Sequence, residues 1–438
     1  MRSTRALSAR RPKAQSVGDH MGMTIAGKIL ARASGKKRVA PGEIVEAEID
    51  VAMINDITAP LTVDALQKIG VKKIWNPKRV VVVFDHQAPA TSIDAARDHA
   101  ELRKFVAEQR VPNFYDVNEG ICHEVLPERG FALPGRLIVG ADSHTCTYGA
   151  LGCFATGIGS TDMAAVLATG KLWFRVPESM KISVEGKLKQ RVAPKDLILR
   201  IIGDVGADGA TYRSVEFVGK GMRGISVAGR MTMCNMGVEM GAKAAIVQSD
   251  ELTKRWLVGR TRESYKPVNS DEDSTYVKEL SYDVAKLEPQ VACPHSVDNV
   301  SAVREVEGVE VDQAFLGSCT NGRLEDLIEA AKILKGKRVS KHVRMLVVPA
   351  SREVYLDALG RGLLKLFVEA GALVESPSCA ACMGGHIGIL APGEVCISSS
   401  NRNFRGRQGS PEAEVYLASP ATVAASALKG KIIDPRDV

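Results

Sequence analysis

Short apolar, β-branched runs that stop abruptly at polar clusters recur along this 438-residue chain. Val80-Val81-Val82-Val83-Phe84 runs into Asp85-His86, and Leu137-Ile138-Val139 passes through Gly140-Ala141 into Asp142-Ser143-His144. Ala314-Phe315-Leu316 meets Gly317-Ser318-Cys319, and Val395-Cys396-Ile397 leads to Ser398-Ser399-Ser400-Asn401-Arg402. Continuous apolar runs of this length suit strands buried on both faces, as in a parallel sheet. Ligands of such sheets bind beyond the carboxyl ends of the strands. That is where this pattern puts the chemically capable side chains.

Helices fit between the strands. Leu324, Leu327, Ile328, Ala331 and Leu334 share one face at helical spacing, and Gly336 ends that helix. Ser419-Pro420 predicts an N-cap and first-turn proline for a helix through Leu428. Ser226 caps a further helix that stops at Gly241, and places Asn235 and Glu239, four apart, on one face. In Pro349-Ala350-Ser351-Arg352-Glu353, after a predicted strand Met345–Val348, Ser351 reads as another N-cap. Boundaries near Pro177–Met180, and in the polar stretch from Asn269 through Pro294, divide the chain into three α/β units. These span 21–180, 181–293 and 294–438, behind a basic tail at 1–20.

Composition changes this picture little. Hydrophobic residues at 45% and charged residues at 25% are ordinary for a soluble globular protein. Aromatics are only 5%, so the core rests on Val, Ile, Leu, Ala and Met. The net charge of +7 invites a nucleic-acid reading. However, Arg2, Arg5, Arg10, Arg11 and Lys13 against Asp19 supply +4 of it, which leaves only +3 on the other residues. No apolar run approaches the ~20 residues of a membrane span, and no apolar segment marks a secretory signal. The Arg- and Ser-containing start suits a transit peptide, a disordered tail, or upstream sequence ahead of a start at Met21 or Met23. We read it as a disordered tail. A cytoplasmic location is expected, or an organellar one if the tail is a transit peptide.

Nine cysteines are too few and too scattered for a disulfide scaffold, and a CxxC in such a chain points to metal or redox chemistry. Ser378-Cys379-Ala380-Ala381-Cys382-Met383-Gly384-Gly385 is that motif; its glycines would let the backbone pass close to a bulky inorganic centre. Structural zinc wants a second CxxC or paired His, which the sequence does not offer. Cys319, at a predicted strand end and opening a helix, is the third candidate; a helix N-terminus favours a thiolate. Three thiolates would leave one iron of a cubane cluster without a protein ligand and open to substrate. Cys122, Cys146, Cys153, Cys234, Cys293 and Cys396 read as packed or pocket-lining thiols.

Gly317-Ser318-Cys319-Thr320-Asn321-Gly322-Arg323, Ser378-Cys379-x-x-Cys382-x-Gly384-Gly385, Asp142-Ser143-His144-Thr145 and Asn401-Arg402-Asn403-Phe404-x-Gly406-Arg407 together resemble the aconitase family. The resemblance runs from about Met23 to Asp434. It implies three α/β/α subdomains with mostly parallel sheets around a central [4Fe-4S] cluster, held by Cys319, Cys379 and Cys382, with one substrate-accessible iron. It makes His86 the acid that protonates the departing hydroxyl, and Asp85 the group that fixes its charge and tautomer. It puts Asp142 and His144 around the iron-bound water, Ser143 in contact with substrate or cluster, His123 as a second pocket histidine, Asn235 facing the cluster and Glu239 beside the open iron. Asn401 becomes a further donor to the cluster, and Arg402 and Arg407 become carboxylate clamps.

The family's swivelling fourth domain, with its Gly-Ser-Ser-Arg-Glu motif and base serine, has no counterpart here. The resemblance therefore implies a separate small subunit that supplies the base. The implied activity is a hydro-lyase of the isopropylmalate isomerase and homoaconitase branch. It would interconvert 2-isopropylmalate and 3-isopropylmalate through 2-isopropylmaleate in leucine biosynthesis. Homoaconitate or 2,3-dimethylmalate hydration is the in-class alternative; a non-catalytic metal- or RNA-binding protein is the alternative of another class. Asn55-Asp56-Ile57-Thr58-Ala59-Pro60 departs from single-chain aconitases by carrying proline in place of a substrate-contacting glutamine, which counts against citrate.

Overall fold

The computed structural model describes residues 22–438, so the tail at 1–20 lies outside the described residues. Four sheets organise it. The first has five parallel strands in the order Asn113–Tyr115, Val80–Val83, Val51–Asn55, Leu137–Gly140 and Phe154–Gly157. A two-stranded antiparallel ribbon, Ile44–Glu48 with Lys171–Arg175, accompanies it. The second large sheet has four parallel strands: Ala244–Val247, Ser214–Val218, Ser179–Glu185 and Lys278–Asp283. The third has seven, ordered Val300–Ala302, Gln290–Ala292, Glu414–Ala418, Val395–Ser398, Gln313–Leu316, Arg344–Val347 and Leu373–Val374. Only the two pairings made by Gln290–Ala292 are antiparallel. The fold is α/β with mostly parallel sheets, as the apolar runs predict.

The valine run explains why. Val81 and Val83 join one hydrophobic cluster, with Met53 and Ile138. Val80 and Val82 join another, with Ala52, Ile54 and Leu137. Side chains alternate across a strand, so a strand covered on both faces has no place for a polar residue until its end. The polar residues that follow Val83, Gly140, Leu316 and Ser398 therefore gather at the carboxyl ends.

The helices match with adjustments. The helix Leu324–Leu334 buries Leu327, Ala330, Ala331, Ile333 and Leu334, while Leu324 and Ile328 lie at its margin. Ser419 occupies the N-cap position of Pro420–Lys429, but its hydroxyl bonds Thr422 Oγ1 (3.1 Å) instead of a backbone amide. Ser351 caps Arg352–Gly360, accepting from Val354 N at 3.1 Å. Ser226 caps a helix that ends at Asn235, not Gly241. The chain tightens there into a 3₁₀ turn, Met236–Met240, before Gly241 in the left-handed region. Glu239 therefore follows Asn235 around a tighter turn than regular α-helical spacing assumes.

Candidate active site

The strand Val80–Val83 delivers Asp85 and His86, and the turn is pinned by a carboxylate from the neighbouring strand. Asp56, buried just beyond Val51–Asn55, accepts from the amides of Asp85 (3.1 Å), His86 (2.9 Å) and Gln87 (2.7 Å). His99, stacked on Phe84, approaches the same carboxylate at 3.4 Å. Burial works against this charge, but the bonds from His99 and the His86 turn win and hold Asp56 well below the usual carboxylate range.

Asp85 and His86 form a tight pair, with Oδ1 and Nδ1 2.7 Å apart. The other Asp85 oxygen accepts from Cys122 N at 2.6 Å. His86 Nε2 lies 3.4 Å from Asp142 Oδ2. Desolvation opposes a charge on His86, yet the charges of Cys379 and Asp85, with hydrogen bonds to Asp142 and Asp85, raise its pKa well above that of ordinary imidazole. Asp142 is the hub of the site. Its Oδ1 lies 2.8 Å from His123 Nε2 and accepts from His144 N at 2.8 Å. Asn55 Nδ2 reaches its other oxygen at 3.3 Å. Despite burial, these partners hold Asp142 ionised well below its usual range. His123 is set from behind by Tyr148 Oη (3.2 Å).

On the opposite side, His144 Nε2 meets Glu239 Oε1 at 2.9 Å, and Arg402 Nε is 2.9 Å from the same oxygen. Burial would raise Glu239; His144 and Arg402 lower it. Ser143 begins the 3₁₀ segment Ser143–Leu151, which carries His144.

The three candidate thiols meet this constellation. Cys319 is contacted by Asn235 Nδ2 (3.2 Å) and Asn401 Nδ2 (3.6 Å), and the Cys382 thiol donates to Asn401 Oδ1 (3.7 Å). An Arg407 amino group is 3.7 Å from Cys382 Sγ. One ligand atom from each of Asp85, His86 and Cys379 lies within 4.8 Å of the others. Burial, followed by the charges of Cys382 and Cys379, pushes the Cys319 thiol well up; burial pushes Cys379 up to about 12. The expected thiolate-favouring helix start at Cys319 is only the short turn Ser318–Asn321, and burial with mutual repulsion outweighs it.

This donor set fits an iron–sulfur cluster. All nine cysteines are free, and buried thiols that repel each other's ionised forms gain most when a cation replaces their protons. Side-chain amides and a guanidinium already point at the sulfurs. Gly384 also makes a close approach within the protein itself. Gly384 (φ 61°) packs against the backbone of Arg407 and Gly409, where a Cβ would come within 2.9 Å. It thus brings the arginine segment onto the CxxC loop.

The remaining cysteines behave as packed thiols: Cys153 Sγ bonds Leu133 O (3.1 Å) and Cys146 Sγ bonds Asn235 O (3.4 Å). Ser351 lies buried, its hydroxyl committed to Glu128 (2.6 Å) and to the cap of its helix, while Ala350 before it packs with Cys319 and Cys379.

A family model described as "Aconitase family (aconitate hydratase)" matches residues 28–307 and 301–430. The chain belongs to the aconitase family. Within this family it is similar to a probable 3-isopropylmalate dehydratase large subunit of Methanothermobacter thermautotrophicus, 60% identical, covering 95% of this chain and 99% of that protein. The 3-isopropylmalate dehydratase large subunit 1 of Methanopyrus kandleri is 57% identical, with coverage of 95% and 99%. A probable methanogen homoaconitase large subunit, also from M. thermautotrophicus, is 54% identical, covering 94% of this chain and 98% of that protein.

Sequence reasoning missed several residues that shape this aconitase-family site. Asp56 stood in a quoted motif, but nothing local announces that its carboxylate collects three amides. Tyr148, which backs His123, had no motif at all. Arg323 stands in the Cys319 motif and Glu124 follows His123, but only the tertiary structure makes them partners, with Nε and Oε2 2.8 Å apart.

Proposed function

We propose that this chain is the large subunit of a 3-isopropylmalate dehydratase, a hydro-lyase interconverting 2- and 3-isopropylmalate through 2-isopropylmaleate in leucine biosynthesis. The observation that carries the reading is the meeting of Cys319, Cys379 and Cys382 with the Asp85–His86–Asp142 network. The names of relatives 57–60% identical over almost their whole length support the substrate. We read 21–180, 181–293 and 294–438 as three units closing around the thiols. Free cysteines throughout the described residues suit a reducing, cytoplasmic setting.

Cys319, Cys379 and Cys382 would hold a [4Fe-4S] cluster. When bound, it supplies a Lewis-acidic iron that polarises the substrate's C–O bond. The chain's own groups do the rest. His86, charged and oriented by Asp85, delivers the Nε2 proton to the departing hydroxyl. Asp142 aligns His86, His123 and His144 by accepting from each side. Glu239 stays ionised beside the reacting oxygen. Arg407 Nε is buried with no hydrogen-bond partner among the described residues. Such a donor is costly unless a ligand satisfies it, and a substrate carboxylate would do so. Arg402, with Nε committed to Glu239, has its terminal nitrogens for a second carboxylate. The proton next to that carboxylate goes to a base on a small subunit, a partner implied by the relatives' designation as large subunits.

The test is to reconstitute the chain with iron and sulfide, with and without its small subunit, and follow 2-isopropylmaleate by the ultraviolet absorbance of its conjugated double bond. Turnover only with both subunits is expected. Turnover by this chain alone, or none in the pair, overturns the reading. The homoaconitase relative favours a second substrate, so homoaconitate and 2,3-dimethylmalate belong in the same panel.

A further inference from the structure

Lys195 is a lysine with no surface. It enters from the first turn of the helix Pro194–Val205 and is 0% exposed. Its Nζ donates to the carbonyls of Ser399 (2.9 Å) and Ser400 (2.5 Å). Ser399 is tied in turn to the other thiol-bearing segment: its Oγ accepts from Gly317 N (3.0 Å) and donates to Gly317 O (3.1 Å). Ser400 precedes Asn401, whose amide touches the sulfurs of Cys319 and Cys382. Gly317 lies two residues before Cys319. One ammonium from the second unit thus sits against the segment that carries Asn401, and through Ser399 is tied to the segment that carries Cys319.

Lysine is almost never fully buried unless paired, and the hydrogen-bond partners of Lys195 are carbonyls, not a carboxylate. Burial pushes its pKa down to about 7, against the pull of Asp326, Cys382, Asp196 and Cys319. Two of those four opposing groups are the candidate ligand sulfurs. With a cation bound, the sulfurs of Cys382 and Cys319 are negative charges that this ammonium faces together with Asp326 and Asp196.

We propose that the Lys195 ammonium is the buried counter-charge of the Cys319–Cys379–Cys382 site and raises the reduction potential of the cluster held there. The inference rests on the reading of those cysteines as cluster ligands. A fixed positive charge in a low-dielectric interior favours whichever state carries more negative charge, and charge nearby sets cluster potentials. Lys195 touches neither substrate nor sulfur directly, so it is a positioning and electrostatic residue.

The full chain is reconstituted anaerobically as wild type, Lys195→Met and Lys195→Gln. Each is titrated with dithionite and followed by electron paramagnetic resonance. Both neutral variants are expected to reduce at a more negative potential than wild type, with unchanged iron and sulfide content. Equal potentials in all three overturn the proposal. So does a shift in Lys195→Met alone, because glutamine keeps a donor to the carbonyls and a shift confined to methionine would make the lysine a structural tie. Should neither neutral variant retain iron, Lys195→Arg decides: a cluster at the wild-type potential upholds the counter-charge, and loss of iron overturns it. A wild-type chain that takes up no cluster sinks the ligand reading itself, which is a separate and visible outcome.

Discussion

Arg323 Nε lies 2.8 Å from Glu124 Oε2 in an ion pair almost wholly enclosed by protein. Arg323 also donates to the carbonyls of Cys319 (2.6 Å) and Thr320 (2.8 Å), while Glu124 follows His123. The pair therefore joins the Cys319 turn to the segment carrying a pocket histidine. Removing one partner of such a pair leaves a buried charge without compensation, at a cost of about 3–5 kcal/mol. Arg323→Gln is expected to lower the unfolding midpoint strongly. Arg323→Gln with Glu124→Gln should recover part of that loss, as a thermal melt of both variants would show.

Glu128 gives the stability a pH dependence of definite sign. Burial first, then the charge of Glu124, with Glu353 adding to them, pushes its pKa up to about 8, against Ser351 and Arg260. The folded chain therefore holds a proton that the unfolded chain releases near an ordinary glutamate value of roughly 4.3. Its contribution is fully present below that value and is lost as pH rises through about 8. Denaturant midpoints should fall across this window in the wild type, and Glu128→Gln should flatten the slope. An unchanged slope in the variant would remove Glu128 from the account.

The cysteines divide into two groups. Cys379→Ser is expected to abolish cluster retention, whereas Cys122→Ser should keep about four irons and four labile sulfides per chain. Cys122 reaches the site through its amide, which donates to Asp85, and serine preserves that bond. Iron and sulfide analysis after anaerobic reconstitution distinguishes the two; iron loss from the Cys122 variant would mean that a fourth thiol takes part.

On the proposed reading, Asp56 acts through His86. Asp56→Ala removes the acceptor shared by Asp85, His86 and Gln87, and displacing a reacting group by about 1 Å costs roughly 10²-fold in rate. With the small subunit present, kcat should fall by about that factor while KM changes little. A variant in which KM rises and kcat holds would instead put Asp56 in substrate binding.

Arg407→Lys tests the clamp. Lysine keeps the charge but loses the planar donor fork. A hydrogen bond to a charged group is worth about 1.5–3 kcal/mol, so kcat/KM should fall roughly 10- to 100-fold. Wild-type kcat/KM in this variant would exclude a substrate contact.

Much of the fold was legible because its signal is local. A strand buried on both faces needs an unbroken apolar run, and Val80–Val83 supplies one whose side chains enter two different cores. Ser351 was legible as a cap because capping is chemistry between neighbours three residues apart. The end of the helix at Asn235 was not, since the 3₁₀ turn after it is set by packing against other elements. Gly384 was legible as a position of close approach, but its packing on Arg407 and Gly409 was not, because what a missing Cβ makes room for depends on the segment that arrives from elsewhere.

By itself, the order of residues determined the strands, their polar carboxyl ends, and which cysteines stand in motifs able to bind metal. Only the tertiary structure decided that Asn401 touches two of those thiols, that Asp142 serves three histidines, and that Lys195 lies buried behind the serine loop. The reason is physical: periodicity and turn chemistry act over a few residues. A buried charge finds its partners across as many as 205 residues of chain, where only the packing of whole units fixes distance and dielectric.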